Sequence, residues 1–367
     1  MRLRIHLFAL SVILFFSCSR SLHPSGDASG IIVYPKPPDT TRIQFLTRVS
    51  SSNDVSGERG GFKRFILGKE EVKGIGKPHG VNIFNGKIYI CDPLVRGFEI
   101  IDLKKSTLNY FSPVGLGELK TPLNCIVDKR EYLYVADGGR KQIVVFNEKG
   151  KYYTCFGEKE NFKPTDIVLK DDKIWVTNLD GHQINVFSMD STHRLLTRFP
   201  AASIDSAGYL YSPVNLFVTD SLVYVTDLGD FKIKKFTREG KFVSSLGSYG
   251  LGIGQFTRPK GIAVDREENL YVVDAGFENV QMFDKHGKLL MFFGGNYKGP
   301  GDMWLPAKVT IDYENLKYFE KYVDPGFNLK YLILVTNQFG PDKLNIYGAV
   351  EPMTPELKAK KKETKKK

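Results

Sequence analysis

The sequence predicts an all-β protein, a six-bladed β-propeller of four-stranded antiparallel blades. Three observations predict this fold: a pattern that recurs six times, a strand-like run of β-branched and aromatic residues in each repeat, and apolar positions on both faces of the predicted sheets. A repeat of about 40 to 50 residues is typical of propeller blades and related arrays. Because 42% of the 367 residues are hydrophobic, the chain can bury a core, and wholesale disorder is excluded.

Each repeat opens with a proline followed by a short apolar stretch, which predicts the innermost strand of a blade. The anchor prolines are Pro78, Pro122, Pro164, Pro213, Pro259 and Pro306. A second run, such as "NLYVVD", is rich in β-branched and aromatic residues, as a strand buried on both faces requires. It ends in Asp92, Asp137, Asn178, Asp227, Asp274 and Asn337. Because an Asp or Asn side chain can cap its own turn, these residues are predicted to be structural.

A third and a fourth strand-like run complete most repeats as a four-stranded meander. In three repeats the turn between these runs ends in glycine, at Gly150, Gly240 and Gly287, as a short hairpin loop needs. Such sheets bury both faces only when they stack radially around a channel. The sixth repeat lacks a fourth run, so Arg42 to Ser50 is predicted to supply its outermost strand and to close the ring. Glu314 to Leu329 is an insertion in that repeat.

The two ends of the chain predict export and a tether. Met1 to Arg4 is basic, and Ile5 to Phe16 is apolar but too short to span a bilayer, so residues 1–17 are predicted to be a signal peptide. Ser17-Cys18 resembles a bacterial lipobox, which implies acylation of Cys18; cleavage nearby that leaves Cys18 unmodified is the alternative. Residues 18–41 form a Pro/Ser/Gly-rich tether, residues 42–348 the propeller, and residues 349–367 a Lys-rich disordered tail.

Charge and cysteine usage exclude several classes of function. The formal charge of +11 lies mostly at the two ends, so the repeats are nearly balanced, which argues against a nucleic-acid partner. The four cysteines form no CxxC or CxxCH pattern, which excludes a zinc ribbon, a thioredoxin-type redox pair and covalent haem. Cys91 and Cys125 fall in adjoining repeats. They could form a disulfide in an oxidising compartment, and the alternative is that both are buried free thiols.

The repeat resembles a known family. The order P-x-G-I-A-V-D, N-L-Y-V-x-D and I/V-Q-x-F-D, clearest from Arg258 to Asp284, is similar to the NHL repeat, and the array resembles the six-bladed NHL propellers of exported bacterial lipoproteins. The resemblance covers roughly Arg42 to Gly348. The resemblance implies that the partner is an envelope or surface protein and that the N-terminal lipid contacts the membrane. It also implies that the protein could belong to a redox complex with exported multihaem cytochromes. NHL propellers of animal regulators bind RNA. The predicted export and the nearly balanced charge of the repeats argue against RNA binding by this chain.

The two residues after each anchor proline are expected to face the channel mouth, because the inner strands begin there. Five of them are candidate binding residues: His79, Asn124, Asp166, Asn215 and Lys260. Asn124, Asp166 and Asn215 would place three oxygens on consecutive blades, a weak candidate site for Ca²⁺, which takes about six to eight oxygens. The alternative is that they bond to backbone groups at the strand starts.

Enzymatic chemistry is the second hypothesis. The amidating lyase, which resembles this architecture, holds Zn²⁺ with histidines from several blades, and a catalytic zinc needs about three protein ligands. Only His79 occupies a suitable position here. We therefore expect a non-enzymatic binding scaffold without a cofactor, and the alternative is a metal-dependent lyase or hydrolase with its site at the channel mouth.

The loops between the second and third strands form the candidate rim for a partner. They carry mixed charges and aromatic residues, including Arg140, His182, Phe231 and Phe277. This composition suits recognition of a protein or peptide. The sequence therefore predicts an exported, lipid-anchored scaffold that binds an envelope partner, and solvated loop ends are the alternative for the rim.

Overall fold

The computed structural model describes residues 30–56, 71–158 and 160–358. The chain divides into two compact units, residues 1–31 and residues 32–367, and the architecture that follows is that of the second. The predicted signal peptide, Cys18 and the end of the predicted Lys-rich tail lie outside the described residues. No helix among the described residues is long and apolar enough to cross a bilayer.

Almost every regular element is a strand. The first sheet contains β3 (Val81–Phe84), β4 (Lys87–Asp92), β5 (Gly97–Asp102) and β6 (Thr107–Phe111). The second contains β7 (Pro122–Val127), β8 (Leu133–Asp137), β9 (Gln142–Phe146) and β10 (Tyr152–Phe156). The third contains β11 (Pro164–Lys170), β12 (Lys173–Asn178), β13 (Gln183–Ser188) and β14 (Leu195–Phe199). The fourth contains β15 (Pro213–Val218), β16 (Leu222–Asp227), β17 (Lys232–Thr237) and β18 (Phe242–Leu246).

The fifth and sixth sheets complete the set. The fifth contains β19 (Pro259–Val264), β20 (Leu270–Asp274), β21 (Asn279–Phe283) and β22 (Leu289–Gly294). The sixth contains β1 (Val33–Tyr34), β2 (Ile43–Val49), β23 (Pro306–Asp312), β24 (Phe327–Asn337) and β25 (Leu344–Pro352). The helices of the described residues are α1 (Ser52–Ser56), three single-turn 3₁₀ helices, Gly115–Gly117, Leu316–Tyr318 and Glu320–Tyr322, and a helical stretch over 355–358, which lies in the predicted disordered tail.

The six sheets form a six-bladed propeller, as the sequence predicts. Each of the first five sheets is an antiparallel meander of four strands in chain order. The innermost strands β3, β7, β11, β15, β19 and β23 contact one another in succession, and β23 also contacts β3. Five of these strands begin at an anchor proline, so the repeat in the sequence corresponds to one blade.

The sixth sheet draws strands from both ends of the chain. Its strand order is β1-β2-β25-β24-β23, and the register pairs Ile43 with Ala349 and Val49 with Leu344. β2 therefore occupies the stretch predicted from Arg42 to Ser50. Two features differ from the predicted boundaries: β1 lies within the stretch expected to be tether, and β25 continues past residue 348 to Pro352. The hydroxyl of Tyr34 in β1 donates to the Gly301 carbonyl at 3.0 Å, which attaches this edge strand to the fold.

The hydrophobic core lies between neighbouring sheets. Trp175 of the third sheet, for example, packs with Val223 and Phe236 of the fourth. Ile101 of the first sheet packs with Ile346 of the sixth and with Phe319. Phe319 comes from the predicted insertion, so that segment covers the outer part of this interface. Because each blade buries its faces against its neighbours, the core stabilises the ring rather than any one sheet.

Residues at the ends of the second strands join the loops of one face. Asp137 accepts hydrogen bonds from the backbone N–H groups of Gly139 and Arg140, which follow it, as predicted for a turn cap. It also accepts from the N–H groups of Lys120 and Thr121, in the loop before β7. Asp274 repeats this arrangement in the fifth blade. One carboxylate thus fixes two loops.

These loops define what we call the upper face. It comprises the loops before the inner strands and the loops between the second and third strands, which are residues 71–80, 93–96, 112–121, 138–141, 157–158, 160–163, 179–182, 200–212, 228–231, 247–258, 275–278, 295–305 and 338–343. The inner strands start at this face, so the channel mouth opens within it.

Candidate functional site

The second residue after each anchor proline forms a polar ring at the channel mouth. The six residues are Gly80, Asn124, Asp166, Asn215, Gly261 and Lys308. The structure brings the three predicted oxygen-bearing residues together, and it adds Lys308 of β23, which the sequence analysis did not select. The signal was present, because Lys308 occupies the repeat position that selected the other three.

Lys308 and Asp166 form a buried ion pair at the centre of this ring. Lys308 Nζ lies 2.6 Å from Asp166 Oδ2 and 2.9 Å from Asn215 Oδ1. Asp166 is fully buried, and its carboxylate also accepts from the Asn124 side-chain amide and from the backbone N–H groups of Ile167 and Leu216. Every polar partner that a buried carboxylate requires is therefore supplied by the protein.

Two glycines let neighbouring inner strands approach each other at this level. A Cβ atom at Gly261 would lie 2.7 Å from Lys308 Cα, and one at Gly80 would lie 2.6 Å from Asn124 Cα. Neither distance leaves room for a side chain. Glycine at these positions therefore allows the ring to close tightly around the ion pair.

The predicted cation site binds an ammonium group in this structure. Lys308 Nζ contacts the oxygens of Asp166 and Asn215, while Asn124 presents its amide nitrogen to Asp166. A divalent cation would have to displace the Lys308 ammonium to use the same oxygens. The described residues include no group of three His, Cys, Asp or Glu side chains placed to hold a metal ion. The residues present at the mouth therefore do not fit the zinc site of the amidating lyase.

His79 and Lys260 lie at the mouth in unusual electrostatic surroundings. His79 Nδ1 lies 3.0 Å from the Leu123 carbonyl oxygen. Burial and the Lys260 charge lower the pKa of His79 to about 4, so this imidazole is neutral at pH 7 and donates to the carbonyl. Lys260 Nζ donates to Gln338 Oε1 at 3.2 Å, and burial with the Arg258 and Lys77 charges lowers its pKa to about 8. We call Lys77, Arg258 and Lys260 the cationic mouth.

Exposed apolar side chains concentrate on the upper face. Ile253 is 90% exposed and Leu251 is 82% exposed, in the loop before the fifth inner strand. The six most exposed large apolar side chains of the described residues all lie on this face: Leu94, Val114, Leu116, Tyr249, Leu251 and Ile253. Tyr211, Trp304 and Phe339 add partly exposed rings there. The most strongly exposed apolar side chains of the described residues therefore lie on one face of the propeller.

The four predicted rim residues also lie on the upper face, where they hold its loops. The Arg140 guanidinium donates to the carbonyls of Leu116 at 2.9 Å and Glu118 at 2.7 Å. His182 Nδ1 lies 2.9 Å from the Tyr211 carbonyl oxygen. The ring of Phe231 packs 4.8 Å from that of Tyr249.

Phe277 is partly buried, and its N–H donates to Asp274. Of the four rim residues, Phe231 contacts the loop that carries the more exposed Leu251 and Ile253, which the sequence did not single out. Their signal is the alternation of aliphatic residues with glycine in "YGLGIG".

Comparison with known proteins supports the fold. Residues 205–291, which span most of the fourth and fifth blades, match the DUF5128 family, described as a 6-bladed beta-propeller. No curated protein sequence matches the chain.

Three solved structures illustrate the likeness. A gluconolactonase from Xanthomonas campestris has 15% identity and a TM-score of 0.55, with 90% of this chain and 99% of that chain covered. A Bacteroides thetaiotaomicron protein of unknown function has 15% identity and a TM-score of 0.56, with coverages of 84% and 76%. Inactive virginiamycin B lyase from Staphylococcus aureus, solved with quinupristin, has 14% identity and a TM-score of 0.52, with coverages of 74% and 94%. Such low identities show the propeller fold alone.

Proposed function

We propose that this protein is an exported, lipid-anchored propeller of the NHL type that binds another envelope protein through its upper face and performs no chemistry. The observation that carries the proposal is the concentration of the most exposed apolar side chains on this one face. Water contact with these groups is unfavourable, and a partner that covers them would gain roughly 25 cal/mol for each Å² of apolar area removed from water. Aromatic groups such as Trp304 and Phe339 are typical of protein interfaces.

The channel mouth supports a structural role rather than a catalytic one. The side chains of Asp166, Asn215 and Lys308 bond to one another, so this ring offers a substrate no free base or nucleophile. The competing function is a metal-dependent lyase or hydrolase. A stoichiometric divalent ion in the purified protein that is lost on Asp166→Asn would favour it and contradict the proposal.

Site-specific crosslinking tests the binding face. A photoreactive amino acid at Ile253 or Val114 is expected to capture the same envelope protein, because both positions project from the upper face. The matched control is Phe292, which is 59% exposed on the outermost strand of the fifth blade. Mass spectrometry identifies the captured protein. Equal capture from Phe292, or different proteins from the two upper-face positions, would contradict a specific interface.

The anchor has its own test. Cys18→Ala is expected to move most of the protein from the membrane fraction to the soluble fraction, because a lipid on this cysteine would be the membrane contact. Immunoblotting of fractionated cells and the mass of the mature N-terminus measure the effect. Ser25→Ala, in the predicted tether, leaves the Ser17-Cys18 pair intact and serves as a control. Unchanged processing and membrane association in Cys18→Ala would show that the protein is not a lipoprotein.

A further inference from the structure

We propose that the cationic mouth binds a carboxylate carried by an acidic segment of the partner protein. This inference rests on the proposed function and deepens it, because it names the chemistry that the centre of the upper face recognises. The apolar loops would supply contact area, and the mouth would supply a specific polar contact between them.

The three cations come from two neighbouring regions of the mouth. Lys77 directly precedes Pro78, while Arg258 and Lys260 flank Pro259. The amine of Lys77 lies 5.3 Å from the ring centre of Phe339, and that of Lys260 bonds to the adjacent Gln338. Both amines therefore approach one loop of the sixth blade. Among the described residues, no carboxylate oxygen lies within 4.0 Å of the charged side-chain nitrogens of these three residues; Asp92 and Asp274 bond instead to the backbone N–H groups of Lys77 and Arg258.

The side-chain charges of the cationic mouth repel one another, and no ion pair among the described residues offsets that repulsion. Arg258 and Lys77 disfavour the charged form of Lys260, and Lys260, Lys308 and Lys77 disfavour that of His79. The central carboxylate, Asp166, already bonds to Lys308. Like charges held in a partly buried recess raise the free energy of the unbound protein, and an anion placed among them would lower it. Binding of a carboxylate therefore relieves a repulsion built into the fold.

The surroundings favour an anion attached to a polypeptide over a free ion. Phe339 and Trp304 are 46% and 48% exposed, and Leu251 and Ile253 belong to the loop that leads into Arg258. A free phosphate would leave these apolar groups in water. An acidic side chain with apolar neighbours would bury them and would also form charge-assisted hydrogen bonds with the lysines.

Protection of Lys260 from acetylation tests the inference on the purified protein. At pH 7 and low ionic strength, capped hexaglutamate is expected to slow acetylation of Lys260 by acetic anhydride about tenfold, because a nearby carboxylate raises an amine pKa by about one unit or more. Mass spectrometry follows each lysine. Lys149, in the turn between β9 and β10 at the opposite face, should react at an unchanged rate. Arg258→Gln should reduce the protection at Lys260.

The outcomes separate this inference from the proposed function. Absence of protection by hexaglutamate, equal protection by capped hexalysine, or equal slowing at Lys149 would overturn the carboxylate site. Protection by inorganic phosphate at the same concentration would indicate a small-anion site and would also overturn it. None of these results affects crosslinking from Ile253, which tests partner binding independently. Failure of that crosslinking with protection intact would leave the anion site and refute the interface.

Discussion

Replacement of Lys308 by methionine is expected to lower the free energy of unfolding by about 3 to 5 kcal/mol, because it leaves the buried Asp166 carboxylate without its ammonium partner. Methionine has a similar length, so lost packing contributes little. Urea denaturation at pH 7, followed by circular dichroism, measures the change. A loss below about 1 kcal/mol would show that water or another group compensates the carboxylate and that the ion pair does not organise the mouth.

A double substitution separates charge from shape in this experiment. Lys308→Met combined with Asp166→Asn leaves neither charge unpaired, so it is expected to recover more than half of the stability lost in Lys308→Met. Lys149→Met, on an exposed turn, removes the same charge and is expected to change stability by less than about 0.5 kcal/mol. If the double variant is less stable than Lys308→Met, the Asn side chain does not fit the hydrogen bonds that Asp166 makes.

Replacement of Glu99 by glutamine is expected to stabilise the protein above neutral pH. Glu99 lies fully buried on β5. Burial and the nearby Asp92 charge raise the pKa of Glu99 from 4.5 to about 9. As pH rises above 4.5, the unfolded chain releases this proton while the folded protein retains it. The stability contributed by Glu99 is therefore complete below pH 4.5 and is lost progressively up to about pH 9.

Glutamine keeps the size of Glu99 and cannot ionise, so the variant should lose less stability between pH 5 and pH 8.5 than the wild type. Chemical denaturation at these two pH values measures the difference. Glu148→Gln, on an exposed turn, is the matched control and should follow the wild type. If Glu99→Gln is less stable than the wild type by the same amount at pH 5 and at pH 8.5, the carboxyl group has a specific hydrogen-bonding role instead.

The sequence was sufficient for the fold because each blade repeats the same local signals. An anchor proline such as Pro259 marks the inner strand, and a terminal Asp such as Asp274 marks the end of the second. The edge strand Val33–Tyr34 was missed because its partner, β2, comes from another part of the chain and Pro35 follows it directly. A two-residue strand has no periodicity from which it could be recognised.

The candidate site was predictable only in part. The repeat position placed Asn124, Asp166 and Asn215 together, but the cation among them is Lys308, since ion pairing across the ring depends on which side chains reach the centre. Glu99 gave no signal, because its neighbour Asp92 is identified only by the pairing of β4 with β5. The exposure of Leu251 and Ile253 likewise depends on a loop conformation that composition does not specify.

The mixed origin of the sixth sheet sets an order for biogenesis. β1 and β2 are synthesised before the first five blades, yet β2 bonds to β25, which is synthesised after them. Before β25 is available, β2 has an unpaired edge, which could pair with a strand of another incompletely folded chain. The appearance of β25, rather than that of any single earlier blade, is thus the event that permits the sixth sheet to form.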